Sequence, residues 1–140
     1  MKISVIIPCF NEEKTITNLL GRVLKSLIDM NKQIVIVDDC STDNTFKILQ
    51  ELSALDKSIN VISHSSNQGK GAAIRTALLS VTGDIVIIQD ADLEYNPSEF
   101  PKLLKPILDG NADVVYGSRF KSGCLLYTSD AADDSLRVDL

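Results

Sequence analysis

Ile85-Val86-Ile87-Ile88-Gln89-Asp90-Ala91-Asp92-Leu93-Glu94 is the stretch that decides what the rest of the chain must be. Four consecutive β-branched apolar residues, Ile85 to Ile88, predict a strand buried on both faces. It opens onto two carboxylates one residue apart, Asp90 and Asp92, with a third at Glu94. Alternate residues of an extended segment point to the same side, so Asp90 and Asp92 can converge on one point. Hard oxygen donors at that spacing suit a divalent cation such as Mg²⁺ or Mn²⁺, with bound phosphates filling the remaining positions. Taken alone, the pair reads equally well as a solvated acidic turn.

Working outward, the same strand-then-helix unit recurs. Ile3 to Pro8 predicts a first, central strand. A helix follows with Ile16, Leu19, Leu20, Val23, Leu24, Leu27 and Ile28 on its apolar stripe. Gln33 to Val37 predicts a second strand, and Ser41-Thr42-Asp43-Asn44 caps a second helix with Phe46, Leu49 and Leu52 inward. Ile59 to Ile62 is a third strand, followed by a helix with Ala73, Ile74, Ala77, Leu78 and Val81 inward. After the Ile85 strand, Asn96-Pro97-Ser98 starts a fourth helix with Phe100, Leu103, Leu104, Ile107 and Leu108 on one face, and Asp113 to Tyr116 is a fifth strand. Such alternation predicts an α/β fold, a mostly parallel sheet sandwiched by helices. Ligands of such sheets sit outside the carboxyl ends of the strands. Asn11-Glu12, Asp38-Asp39, Asn67 to Gly71, Asp90 to Glu94 and Ser118-Arg119 all follow strands, which points to one composite site along that edge.

Composition excludes several functions. The 140 residues carry a net charge of −5, so there is no electrostatic case for nucleic acid. No apolar run approaches the roughly 20 residues that span a bilayer. The N-terminus lacks a signal-peptide pattern, and three cysteines without metal-ligand spacing suggest reduced thiols in the cytoplasm. His64 is the only histidine and reads as a loop residue.

Each cluster has a chemistry and an ordinary alternative. Asp38 and Asp39 can hydrogen-bond a nucleobase or ribose, or complement the dipole of the following helix. Gly69-Lys70-Gly71 opens a helix whose N-terminus favours anions, without the P-loop spacing; otherwise it is a flexible loop with a solvated lysine. Arg119 can pair with a phosphate or with the acidic cluster, or sit on the surface. Cys9 and Cys40 read as packing residues at strand ends.

Five of these segments occur together in order: Pro8-Cys9-Phe10-Asn11-Glu12, Val37-Asp38-Asp39-Cys40-Ser41-Thr42-Asp43, Asn67-Gln68-Gly69-Lys70-Gly71, Asp90-Ala91-Asp92 and Gly117-Ser118-Arg119-Phe120. Over residues 1–123 the chain resembles the nucleotide-sugar-binding part of an inverting family-2 glycosyltransferase of the GT-A fold. Within that family it is most similar to the dolichyl- or polyprenyl-phosphate mannose and glucose synthases. The resemblance implies that Pro8, Phe10, Glu12, Val37 and Asp39 line the nucleoside pocket, with Phe10 where the family usually has Tyr. It places Lys70, Asp90 and Ala91 on the nucleotide sugar, and gives Asp90, Asp92 and Glu94 to Mg²⁺ or Mn²⁺, although relatives often carry Gln at Glu94. Asp92 and Arg119 take catalytic roles, Arg119 against donor or acceptor phosphate. The implied reaction moves a hexose from GDP-mannose or UDP-glucose to a polyprenyl phosphate with inversion. A polysaccharide or glycan acceptor is the alternative within the same family, and an inactive nucleotide-binding fragment is the other. The implied membrane-associating segments lie beyond Gly123, so the full-length protein is expected at the cytoplasmic face of the membrane.

Residues 124–140 differ from the rest. Cys124-Leu125-Leu126-Tyr127-Thr128-Ser129-Asp130-Ala131-Ala132-Asp133 resembles the translation of a transposon adapter from sequencing libraries. The expected domain is therefore 1–123, incomplete at its C-terminus, followed by a non-native tail. A parallel sheet cut after its fifth strand is expected to leave one flank exposed.

Overall fold

A computed structural model describes residues 1–92, 96–110 and the strand segments 114–116, 125–128 and 137–139. Four units repeat: β1 (Lys2–Cys9) and α1 (Ile16–Ser26), β2 (Asn31–Asp38) and α2 (Thr45–Leu55), β3 (Ile59–Ser63) and α3 (Lys70–Leu78), β4 (Ile85–Ile88) and α4 (Phe100–Leu108). A 3₁₀ turn, Pro97–Glu99, leads into α4, and the Asn96 side chain accepts the Ser98 N–H as its cap. The strands β5 (Val114–Tyr116), β6 (Leu125–Thr128) and β7 (Arg137–Asp139) complete the sheet.

The sheet order is β3-β2-β1-β4-β6-β5-β7. Strands β3, β2, β1 and β4 are mutually parallel, in a register that pairs Val5 with Ile34 and with Ile87. β6 alone runs against its neighbours β4 and β5. Strand β6, from the segment read as a foreign tail, lies between β4 and β5, and β7 pairs with the other edge of β5.

Period-two alternation sorts the two layers. Ile3, Val5 and Ile7 of β1, with Ile34, Ile36, Ile85 and Ile87, pack under α1, α4 and Leu49 of α2. Ile6, Val35, Val37 and Val86 face Ala73 and Ala77 of α3 on the other side. Phe100, fully buried, is the one aromatic among the largest fully buried side chains. Burial of its ring stabilises α4 against the sheet by roughly 2–3 kcal/mol.

Three expected core residues lie outside: Ile28 is 71% exposed, Leu78 47% and Leu108 46%. Each directly follows a buried residue, Leu27, Ala77 or Ile107, at or just past the end of its helix. One residue is about 100° of helix, enough to carry these side chains off the buried face. Asp113 lies outside the described residues.

The chain runs from β1 outward to β2 and β3, then returns to place β4 on the opposite side of β1. This reversal between β1 and β4 opens a crevice at their carboxyl ends. At the opposite end the sheet is closed by contact. A Cβ on Gly83 would lie 2.6 Å from Ser4 Oγ and 2.7 Å from Ser4 N, so only glycine lets the chain into β4 pass β1 here. The Gly83 N–H donates to the buried Ser4 hydroxyl at 2.9 Å.

Candidate functional site

The crevice between β1 and β4 holds a cleft of about 250 Å³ lined by Pro8, Phe10 and Glu12 after β1, Asp39 after β2, Lys70 at the start of α3, and Asp90, Ala91 and Asp92 after β4. Cys9 and Ala73 also line it. Val37 is fully buried in the sheet face against α3 and is not among the lining residues. Glu94 and Arg119 lie outside the described residues.

The wall from β1 and the wall from β2 are tied together by hydrogen bonds. Asn11 adopts a left-handed conformation (φ 53°), which asparagine tolerates better than most residues. Its N–H donates to Ser41 Oγ at 2.9 Å, and its side-chain oxygen accepts the Thr42 N–H at 2.8 Å. The Glu12 N–H donates to Thr45 Oγ1 at 2.9 Å, while the Asn44 N–H donates to the Glu13 carboxylate at 3.0 Å. Asp43, expected to cap α2, accepts the Thr45 N–H at 2.9 Å. Burial works against its ionisation, but the Thr45 hydroxyl and the backbone N–H groups outweigh it and hold the carboxyl below its ordinary range. Thr15 reaches the third wall: its hydroxyl lies 2.8 Å from Glu12 Oε2 and 3.2 Å from the Ala91 carbonyl oxygen.

Asp39 is 4% exposed and faces three N–H donors. Oδ1 accepts the Gln68 N–H and faces His64 Nδ1, both at 2.8 Å, and Oδ2 accepts the Gly69 N–H at 2.8 Å. Burial favours protonation, but these donors prevail and keep the carboxyl below its ordinary value. Gly69 provides its amide from a left-handed backbone (φ 95°), which glycine adopts without strain. Sequence reasoning passed over His64. Its ring is in fact buried against Asp39, and the signal, a histidine just after a strand beside the Asn-Gln-Gly turn, was too local to reveal that.

On the β4 side, the Lys70 ammonium pairs with Asp90 Oδ1. The lysine side chain is 58% exposed and the Asp90 side chain 25%, so solvent screens the pair from the lysine end. Among the described residues no group of three His, Cys, Asp or Glu side chains is arranged to hold a metal ion. Cys9, at the floor, is buried, and burial followed by the nearby Asp38, Glu12 and Asp43 carboxylates pushes its thiol far up, so it remains protonated at neutral pH.

An apolar mouth at Phe10, a helix N-terminus and an acidic strand end meet at the switch point of a parallel sheet. These features define a Rossmann-like α/β domain. The sequence profile of Glycosyl transferase family 2 matches residues 4–133, and the chain belongs to that family. It is 37% identical over 123 residues to a dolichol-phosphate mannosyltransferase of Pyrococcus furiosus, covering 88% of this chain and 34% of that protein. It is 38% identical over 117 residues to an undecaprenyl-phosphate 4-deoxy-4-formamido-L-arabinose transferase of Proteus mirabilis, covering 81% and 36%. Among solved structures, the mannosyltransferase PcManGT of Pyrobaculum calidifontis, in complex with GDP-Man and Mn²⁺, superposes with a TM-score of 0.76 at 21% identity, over 90% of this chain and 44% of that one. The fold is thus GT-A. The chain spans about a third of the length of these two curated relatives. No helix among the described residues is long and apolar enough to cross a membrane.

Proposed function

We propose that residues 1–123 form the donor-binding part of an inverting hexosyltransferase that transfers a sugar from GDP-mannose or UDP-glucose to a polyprenyl phosphate. The observation that carries this reading is the single cleft shared by Pro8, Phe10, Glu12, Asp39, Lys70, Asp90, Ala91 and Asp92. The names of the two relatives, both transferases acting on a lipid-linked phosphate, support the acceptor class. The GDP-Man and Mn²⁺ of the PcManGT complex support the donor class and a divalent cation.

The residues divide the work by chemistry. Phe10, 43% exposed at the rim, offers a ring for stacking a base. Asp39 offers acceptor capacity to the base or ribose. Lys70, at the N-terminus of α3, adds charge and helix dipole for phosphate oxygens. Asp90 and Asp92 provide the hard oxygen donors that fit Mg²⁺ or Mn²⁺, with Glu94 as a third, the remaining positions falling to diphosphate oxygens. Such a cation offsets charge developing on the leaving nucleoside diphosphate. Arg119 serves the donor or acceptor phosphate, and an acceptor phosphate is already anionic. Docking at the cytoplasmic face of the membrane falls to segments outside these residues.

Calorimetry with UDP, GDP and their sugars tests the reading. One nucleotide is expected to bind with Mn²⁺, and binding is expected to be lost with EDTA or in Asp92→Ala. Binding indifferent to both would overturn it.

A further inference from the structure

His64 lies at a junction that neither the family match nor the cleft lining reveals. Its backbone N–H donates to the Asp38 carbonyl at 2.9 Å, holding the end of β3 to the end of β2. Its ring spans from Asp39 Oδ1, 2.8 Å from Nδ1, to Thr76 Oγ1 on α3, 2.8 Å from Nε2. The His64 and Asp39 side chains are only 7% and 6% exposed. An ionised carboxylate only accepts, so the proton at this contact sits on Nδ1, and a neutral ring then accepts the Thr76 O–H at Nε2.

We propose that His64 is a positioning residue for the nucleoside end of the donor, locking Asp39 onto α3 so that its remaining acceptor capacity is aimed by the fold. Acceptor arithmetic supports this. Oδ1 already takes two N–H groups, from His64 and Gln68, while Oδ2 takes one, from Gly69. Each carboxylate oxygen has two lone-pair sites, so the capacity left for a ligand is concentrated on Oδ2. Without the ring, Oδ1 would regain a free site and the carboxylate could turn, spreading its acceptors over several orientations. The same helix α3 begins at Lys70, so one rigid element carries both the base-end clamp and the phosphate-end cation.

This inference rests on the nucleotide-sugar reading, and the experiment separates the two. Dissociation constants of UDP, GDP and inorganic pyrophosphate, each with Mn²⁺, are measured by calorimetry on the 140-residue chain and on His64→Leu, His64→Asn and Thr76→Val. His64→Leu is expected to weaken the nucleotide that binds by about tenfold, a loss equivalent to one hydrogen bond to a charged group, with pyrophosphate within about twofold. His64→Asn, which keeps an N–H close to Nδ1, recovers most of the loss, and Thr76→Val loses a few-fold. Unchanged nucleotide affinity in His64→Leu, or an equal fall for pyrophosphate, overturns the positioning role. A wild-type chain that binds neither nucleotide removes the donor reading instead. The clamp is still decided by the Asp39 carboxyl titration, followed by carbon-detected NMR. That titration should move up in His64→Leu and stay in place in His64→Asn; no movement in His64→Leu refutes the clamp without any ligand.

Discussion

Replacing Asp39 by alanine removes the acceptor of three N–H groups at once: the Gln68 and Gly69 amides and the His64 ring, all at 2.8 Å. A buried donor left without a partner costs about 1–3 kcal/mol. The two amides belong to an exposed residue, Gln68, and a partly exposed one, Gly69, where water can replace part of the lost bonding, so the sum falls to about 3–5 kcal/mol rather than the full triple. Against a total stability of roughly 5–15 kcal/mol this is a large fraction. Asp39→Asn keeps one oxygen for His64 and Gln68 but turns an NH₂ toward Gly69, and should cost about 1–3 kcal/mol. Urea unfolding followed by circular dichroism, with slopes compared to exclude a changed denatured state, gives both values. Combining Asp39→Ala with His64→Leu should cost less than the two singles added, by about 1–2 kcal/mol, because they share one bond. An Asp39→Ala chain within about 1 kcal/mol of wild type, or an additive double variant, would refute the clamp as a source of stability.

Other consequences are equally open to measurement. Gly83→Ala forces a Cβ onto backbone atoms of β1 that cannot rotate away, and should destabilise by about 2–3 kcal/mol. Gly21→Ala, in α1 with nothing within 4 Å, should stabilise by about 0.5–1 kcal/mol, and matched thermal melts that fail to move in opposite directions contradict the packing. Asp39, Asp43 and Asp56 are all held below the ordinary carboxylate range, Asp56 chiefly by the Ser58 hydroxyl and amide. Groups depressed in the folded state bind protons first when unfolded, so stability should be level near neutral pH and fall below about pH 4. Urea midpoints that rise on acidification exclude this. Cys9 should resist a thiol reagent in the native chain and react on unfolding, with mass spectrometry of the labelled peptide as the readout.

Much of the fold was legible because each unit obeys a single period. The β-branched run at Ile85 to Ile88 and the stripe from Ile16 to Leu27 each match one template, and the alternation of units then implies a parallel sheet. The sheet order is less visible, since nothing local in β4 says that it returns to β1 rather than extending past β3. The cleft residues stood out because carboxylates and Gly-Lys-Gly have no packing reason to end apolar strands. His64 and Thr76 did not stand out. They lie twelve positions apart, on a strand end and on a helix, and their meaning comes only from a third residue, Asp39, which the fold brings between them. Leu78 and Leu108 were misplaced for a related reason: hydrophobic spacing does not tell where a helix's buried face ends.

The hydrogen bonds joining Asn11, Glu12 and Glu13 to residues 41–45 have a mechanical consequence. Two walls of the cleft behave as one jaw, because turning either requires breaking several bonds with the other. Among the described contacts, the wall after β4 meets that jaw where the Thr15 hydroxyl approaches the Ala91 carbonyl oxygen, and it meets the start of α3 through the screened Lys70–Asp90 pair.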